Sequence, residues 1–243
     1  MRALRTGKVV FALTLAAAAA ALGARGALAC GNANGYSYSG MAAPHRAFGI
    51  SATVTPLGSF QVLAGHVAGW VGVGGPGEGP NGSDEWLQVG FSGFPQLTGN
   101  DLYFEVARPN GDPTYHQLAT GLPAGRAVHF AVLEMHRRPN YWRVWVDRRP
   151  ASSPIYLPGS HGRWSPIATA ESWDGGTGGT CNDFLYRFHR VSVASFPGGG
   201  WEQLLSGFRI GDAATKLTWQ RQSASFVAAG GSDALRSLAS FMP

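Results

Sequence analysis

Three short segments of this sequence alternate between apolar side chains and side chains that could bind a ligand. The segments are Val67–Val73, Glu85–Phe91 and Leu102–Ala107, and each reads as a β-strand, in which successive side chains point to opposite faces. One face of each segment is largely apolar, which predicts a core between two sheets. The opposite faces together carry indole, amide, phenol and carboxylate groups, on Trp70, Trp86, Gln88, Tyr103 and Glu105. A merely hydrated surface rarely combines these groups, so the pattern predicts a ligand-binding groove across one sheet.

Other arrangements of catalytic side chains are absent or incomplete. The sequence contains no G-x-S-x-G nucleophile motif, no HExxH zinc motif and no phosphate-binding P-loop. Glu134 and His136 share a strand face but lack a third ligand, so neither a metal site nor a cofactor is predicted. Glu171 and Asp174 are three residues apart and would point to opposite faces, unlike the paired carboxylates of jelly-roll glycosidases. Glycan cleavage is therefore disfavoured, whereas glycan binding in an aromatic groove is not.

Short strands separated by turns account for most of the chain. Further apolar or alternating runs occur at Phe48–Val54, Phe60–Val73, Val128–His136, Tyr141–Asp147, Ile155–Leu157, Ile167–Trp173, Phe184–Ala194, Phe208–Ile210 and Leu217–Gln220. Glycine- and proline-rich stretches such as Gly74–Gly82 and Gly175–Gly179 lie between them. This spacing predicts an all-β fold, a two-sheet antiparallel β-sandwich of the jelly-roll type. A short helix or a loose tail is expected over Ser232–Phe241.

The composition indicates a nearly uncharged domain behind an export signal. The chain of 243 residues has 44% hydrophobic and only 14% charged residues. Residues 1–29 combine a basic start, a short apolar run and an Ala27-Leu28-Ala29 end, the pattern of a secretory signal peptide rather than a membrane span. Four of the 19 Lys and Arg residues lie in that segment, so 15 remain against 14 Asp and Glu, a net charge of +1. A nucleic-acid partner is therefore not predicted, and we expect a secreted, monomeric protein.

The expected cleavage site defines the domains and a role for the two cysteines. Residues 30–195 are predicted to form the jelly-roll domain and residues 196–243 a C-terminal extension of extra strands and a loose tail. Cys30 would be the first residue of the exported protein, and Cys181 is the other cysteine of the chain. In an exported protein two cysteines most simply form a disulfide. A lipid anchor on Cys30 is the alternative, although Leu28 fits lipoprotein processing less well.

The order of three short motifs resembles the glutamic peptidases, the eqolisin family. WVGVG at residues 70–74, WLQVGF at residues 86–91 and LYFEV at residues 102–106 are similar to the W-V-G, L-Q-x-G and W-Y-E-W succession of these secreted jelly-roll acid proteases. Ala170–Trp173, Cys181 and Phe184–Val193 further resemble that family's glutamate strand, cysteine-bearing loop and final strand. The resemblance covers roughly residues 36–194.

The resemblance implies an acid endopeptidase with Gln88 and Glu171 as its catalytic dyad. Ionised Glu171 would act as the general base for an attacking water and return the proton to the leaving amine. The amide of Gln88 would stabilise the oxyanion. The residues expected to bind the polypeptide substrate are Trp70, Trp86, Tyr103, Glu105 and Trp173.

Several alternatives stay open at this point. In a different alignment Glu171 matches a non-catalytic glutamate and Gly175 takes the catalytic position. Gly74 and Ser92 stand where the family has groove carboxylates, which would suit a divergent or inactive member. A non-catalytic extracellular module that binds carbohydrate or peptide in the same groove is the second interpretation. A structural or envelope protein without a small ligand is the third.

Overall fold

The computed structural model describes residues 34–177 and 182–238, in which two antiparallel β-sheets pack face to face. The all-β sandwich expected from the sequence is thereby confirmed. The predicted signal peptide, Cys30 and Cys181 lie outside the described residues. Within them, no helix has the length and apolar character needed to cross a membrane.

The first sheet has seven described strands, and every neighbouring pair in it is antiparallel. In spatial order they are β14 (Phe208–Gly211), β1 (Tyr36–Ala42), β11 (Ile167–Trp173), β3 (His66–Gly75), β4 (Glu85–Gly93), β5 (Asn100–Ala107) and β6 (Thr114–Leu122). The three alternating segments of the sequence are thus the adjacent central strands β3, β4 and β5.

The second sheet packs against the inner face of the first. In spatial order its main path is β10 (Ile155–Tyr156), β8 (Tyr141–Val146), β7 (Val128–Glu134), β2 (Gly49–Pro56), β12 (Phe184–Phe196), β16 (Ser225–Gly230) and β15 (Thr215–Gln220). Two further strands pair beside this path, β13 (Gly199–Gln203) with β12 and β9 (Arg149–Pro150) with β8. A helix, α1 (Ser232–Leu238), follows β16 and buries Ala234 and Leu238.

The core lies between the two sheets and is built from the apolar faces that alternation predicts. Leu87, Val89 and Phe91 of β4 are each fully buried. The ring of Phe91 meets the ring of Phe130 from the second sheet edge-to-face, with centroids 5.3 Å apart. Because these side chains fix one face of β4 inward, the intervening residues of the strand must face outward.

Several strands differ from the sequence expectation for physical reasons. Neither β1 nor β6 is among the predicted apolar or alternating runs. Residues 36–39 of β1 are only tyrosine and serine, so that segment has the composition of a polar loop. β6 lies at the edge of the sheet and has no buried face. The apolar run that begins at Phe60 becomes a strand only at His66. Before it, the backbone at Leu63 and Ala64 is held by the side chain of Asn182 instead of a neighbouring strand.

The segment predicted as a C-terminal extension takes part in both sheets. β14 borders β1 in the first sheet, whereas β13, β15 and β16 lie in the second. β16 is buried along its whole length, and Phe226 stacks on Phe188 of β12 with ring centroids 4.5 Å apart. The sequence predicted either a short helix or a loose tail after residue 231. The structure has the helix there, α1, over residues 232–238.

Replacing Phe226 by alanine tests whether the C-terminal segment stabilises the sandwich. Phe226 is 2% exposed, so Phe226→Ala is expected to lower the free energy of unfolding by about 3–5 kcal/mol. Phe208→Ala is the matched control, because Phe208 is 66% exposed and should change stability by less than about 0.5 kcal/mol. Denaturant unfolding measures both. Equal effects would show that β16 is not part of the cooperative core.

Candidate active site

The register of β3 with its two neighbours places Gln88 and Glu171 on the same face of the first sheet. Gly72 of β3 lies opposite Gln88 of β4, and Ala68 of β3 lies opposite Glu171 of β11. Directly opposed residues of neighbouring strands share a face. Ala68 and Gly72 lie on the outer face of β3, since they alternate with inward-facing valines. Both side chains therefore leave the sheet on the side away from the core.

Gln88 and Glu171 are diagonal rather than direct neighbours on this face. Their partner positions are four residues apart on β3, about 13 Å along an extended strand, and two strand spacings of roughly 5 Å separate β4 from β11. Trp70 occupies the position between those partners, halfway along the diagonal. A ligand that touches both the amide and the carboxylate must therefore extend over Trp70.

The outer face of the first sheet is recessed around Trp70. Trp70 is only 9% exposed and Tyr103 only 2% exposed, although both lie on the outward side of the sheet. They form an apolar cluster with Ala68, bordered by Tyr38 and Ile167 and separate from the main core. The indole Nε1 of Trp70 is buried and has no hydrogen-bond partner within the part of the chain that the structure describes. These side chains form the floor of a groove with an unsatisfied donor.

Two glycines of the sequence motifs make room for this floor. A Cβ atom at Gly72 would lie 2.9 Å from the Cβ of Gln88 and 3.1 Å from the ring of Trp70. A Cβ atom at Gly90 would lie 2.7 Å from the Cα of Trp70. Gly72 and Gly90 therefore serve one purpose, which is to let the side chains of Trp70 and Gln88 pack closely.

The amide of Gln88 is held by a buried tyrosine. Nε2 of Gln88 donates a hydrogen bond to the hydroxyl of Tyr103 at 3.0 Å, and Gln88 itself is 8% exposed. Burial, and to a lesser degree the carboxylates of Glu171 and Glu105, raise the pKa of Tyr103 well above its ordinary value. The phenol therefore stays protonated. Because an amide nitrogen has two N–H donors, one remains for a ligand in the groove.

The carboxylate of Glu171 is held by a histidine that sequence reasoning missed. Oε1 of Glu171 lies 3.3 Å from Nε2 of His66, and Glu171 is 6% exposed. The ring of His66 lies among the rings of Trp173, Phe94 and Tyr36, with centroids 5.7, 6.0 and 6.3 Å away. This aromatic surround fixes the imidazole and thereby orients the carboxylate.

A second carboxylate lies on the groove face beside Gln88. Glu105 is directly opposite Gln88, and its Oε1 accepts a hydrogen bond from Nε1 of Trp86 at 2.9 Å. Burial raises the pKa of Glu105, and the charge of Glu171 adds to that rise, whereas the Trp86 bond and His66 oppose it. The charge of Glu171 therefore acts on Glu105 across the groove face.

The structure brings the seven predicted catalytic and substrate-binding residues to one face. Trp86 lies toward one end of the groove and Trp173 at the other, where its ring stacks on Tyr36 with centroids 6.0 Å apart. Gly175, the catalytic position in the alternative alignment, lies in the turn after β11. At Ser92, where the family has a carboxylate, the hydroxyl instead bonds the hydroxyl of Tyr115 at 2.8 Å.

Residues that the sequence analysis missed complete the walls of the groove. His66 has the same strand parity as Trp70, so continuing the alternation backwards along β3 would have found it. Tyr38 lies opposite Glu171, and Tyr115 stacks on Tyr103 with centroids 4.9 Å apart. These tyrosines lie on β1 and β6, which lack an alternation of apolar and polar residues, so their place in the groove came from the pairing of these strands in the structure.

Solved glutamic peptidases share this architecture. Two structures of scytalido-glutamic peptidase, one with a transition state analog inhibitor and one with a peptide-based transition state analog, align with TM-scores of 0.53 and 0.52 at 13% and 14% sequence identity. SCP-B, a member of the Eqolisin family in complex with the tripeptide Ala-Ile-His, aligns with a TM-score of 0.50 at 14% identity. Each match covers 80% of this chain and 98% of the other. This chain has the glutamic-peptidase fold.

The resemblance stated from the sequence is thus confirmed as a likeness of fold. No family model and no curated protein matches the sequence. A glutamic-peptidase fold at 13–14% identity does not by itself establish catalysis, because one fold can carry many functions. Whether this chain has catalytic activity therefore depends on the side chains of the groove.

Replacing Glu105 by glutamine tests the electrostatics of the groove. Because the folded protein raises the pKa of this carboxyl, the folded state holds its proton to higher pH than the unfolded chain. Ionisation of Glu105 therefore lowers the free energy of unfolding as pH rises above the unfolded value. Glu105→Gln removes that loss. The stability of the variant relative to the wild type should therefore be greater at about pH 7 than at about pH 3.5.

Denaturant unfolding of both proteins at the two pH values measures this gain. Glu202→Gln, at an exposed position of the second sheet, is the control and should differ from the wild type by the same amount at both. A stability difference for Glu105→Gln that does not change with pH would contradict the electrostatic account.

Proposed function

We propose that this protein is an exported endopeptidase that hydrolyses peptide bonds at acidic pH with Gln88 and Glu171. The observation that carries the proposal is the placement of an oriented amide and an oriented carboxylate on one recessed, aromatic-lined sheet face. The glutamic-peptidase fold supports it, and so does the sequence pattern of an export signal. The substrate would be a polypeptide bound across the groove.

Glu171 would act as the general base. Its contact with His66 leaves Oε2 for a water molecule, whose proton Glu171 would accept as the water attacks the peptide carbonyl. Glu171 would then return that proton to the nitrogen of the leaving amine. The reaction therefore uses Glu171 in its ionised form.

Gln88 would bind the carbonyl oxygen on the far side of Trp70. Its Nε2 is directed by Tyr103, and its free N–H would stabilise the negative charge that develops on that oxygen. The diagonal offset between Gln88 and Glu171 leaves space for the scissile peptide group and the water between them. The two residues would therefore act from opposite ends of one bound peptide group.

The aromatic walls would bind the extended chain and exclude water. Trp173, Tyr36 and His66 form one rim, whereas Trp86 and Tyr115 lie toward the other side. Aromatic side chains provide large apolar contact areas with few rotatable bonds. Removing water from the groove strengthens the electrostatic contribution of Gln88 to the reaction.

A non-catalytic module that binds peptide or carbohydrate in this groove is the second candidate. The observation that favours it is that Gln88 and Glu171 are each held by a neighbouring side chain and separated by Trp70. Such an arrangement stabilises a binding surface without any requirement for chemistry. Binding without hydrolysis distinguishes this candidate from the peptidase.

Substitution of the two polar residues tests the peptidase. With denatured protein as substrate between about pH 2 and about pH 5, Glu171→Gln should lower kcat/KM by about 10²–10⁴-fold, the usual size of a general-base effect. Gln88→Ala should lower it by about 10²–10³-fold, as expected for an oxyanion donor. Glu202→Gln on the second sheet should retain wild-type activity.

Hydrolysis that survives both substitutions would overturn the assignment of Gln88 and Glu171. A wild-type protein that binds peptide but does not cleave it anywhere in this pH range would instead identify the binding module. Unfolding curves of the variants separate loss of activity from loss of fold.

A further inference from the structure

A second candidate site lies on the opposite side of the sandwich from the groove. A cavity of about 570 Å³ opens on the outer face of the second sheet, over β2, β7, β8, β12 and β13. Its volume is within the range of small-molecule binding sites, about 300–1,000 Å³. The groove of Gln88 and Glu171 contributes no residue to its lining, so a different ligand can occupy it independently.

The floor of this cavity consists of small side chains on paired strands. Ser51 and Thr53 of β2, Ala131 of β7 and Ser192 of β12 form the floor. β2 is hydrogen-bonded to β7 on one side and β12 on the other, so its backbone cannot pair with an added peptide strand. Recognition must therefore come from side chains, and the floor offers hydroxyl groups. Serine and threonine hydroxyls both donate and accept hydrogen bonds, as the hydroxyls of a sugar do, so the two can pair.

Two indole rings form opposite walls of the cavity. Trp145 lies opposite Ala131 on β8, and Trp201 lies on β13 beyond Ser192. Trp201 is 42% exposed, so its ring is accessible to a ligand in the cavity. Nε1 of Trp145 is buried and has no hydrogen-bond partner among residues 34–177 and 182–238. Indole rings on both sides of a hydroxyl floor suit a ligand built from flat-sided rings that carry hydroxyl groups.

Two arginines give the cavity a positive end. Arg148 follows β8 in the turn to β9, and Arg190 lies at the register shift of β12. Neither guanidinium forms a salt bridge or a hydrogen bond to a side chain within the described part of the chain. The nearby Asp147 carboxylate accepts the backbone N–H of His129. Unengaged guanidinium groups at a pocket favour a carboxylate or another oxyanion.

We propose that this cavity binds an acidic saccharide, a pyranose unit that bears a carboxylate, as in a uronic-acid polymer. The indole rings of Trp145 and Trp201 contact the faces of the sugar rings. Ser51, Thr53 and Ser192 bond the sugar hydroxyls. Arg148 and Arg190 bind the carboxylate. The site would attach the protein to an anionic glycan and leave the groove on the other sheet open.

Binding of a galacturonic acid trimer, measured by calorimetry or by tryptophan fluorescence, tests the proposal. The fully methyl-esterified trimer is the matched ligand, because it keeps the rings and removes the charge. The acid should bind about tenfold or more tightly than the ester, which corresponds to the loss of charge-assisted hydrogen bonds. Raising the salt concentration should weaken binding of the acid and leave the ester nearly unaffected.

Variants assign the binding to this cavity. Arg148→Gln and Arg190→Gln should each weaken binding of the acid by about tenfold, and Trp201→Ala should weaken both ligands by about fivefold. All three positions are exposed, so folding should be retained. Arg209→Gln, an exposed arginine on the first sheet, is the charge-matched control and should bind as the wild type does. Glu171→Gln should also bind as the wild type does.

Three results would overturn the proposal. The first is absence of binding of either trimer at millimolar concentration. The second is equal binding of acid and ester that is unaffected by both arginine substitutions. The third is tighter binding of a tripeptide with a free C-terminal carboxylate, weakened by the same arginine substitutions, which would assign the cavity to peptide ends instead.

Discussion

The alternation of β3 between a core face and a groove face is the constraint on which the candidate site depends. Val67, Val71 and Val73 are almost completely buried between the sheets, and they fix which way the strand faces. A slip of one residue would turn Trp70 into the core and expose the valines. Burial of the valines on the inner face therefore determines which side chains of β3 lie on the outer, groove face.

The neighbours of β3 transmit this constraint to the polar residues. Its pairing with β4 and β11 fixes where Gln88 and Glu171 stand, and glycines at 72 and 90 let Trp70 pack between them. Tyr103 and His66 then orient the amide and the carboxylate. The site is thus held by a sheet rather than by loops, and strands position side chains more precisely than loops do.

Much of this arrangement could be predicted from the sequence, because period-two alternation is visible in β3, β4 and β5. The same alternation identified Trp70, Gln88 and Glu105 as groove residues, and Ile167–Trp173 was predicted with the bounds that β11 has. Pairing could not be predicted in the same way, since register depends on contacts between distant segments. For that reason the diagonal offset of Gln88 and Glu171, the His66 contact and the pairing of the polar strands β1 and β6 came only from the structure. The cavity beside Trp145 also depends on long-range pairing, because its floor and walls come from strands distant in the sequence.

A double-mutant cycle on Gln88 and Glu171 tests the central claim, that the two residues act on one bound peptide group. The measurement is kcat/KM for the wild type, for Gln88→Ala, for Glu171→Gln and for the double variant, all at acidic pH. If the residues act as a unit, the double variant should lose little more activity than the more damaging single variant. Fully additive losses, or a double variant as active as the wild type, would contradict the account.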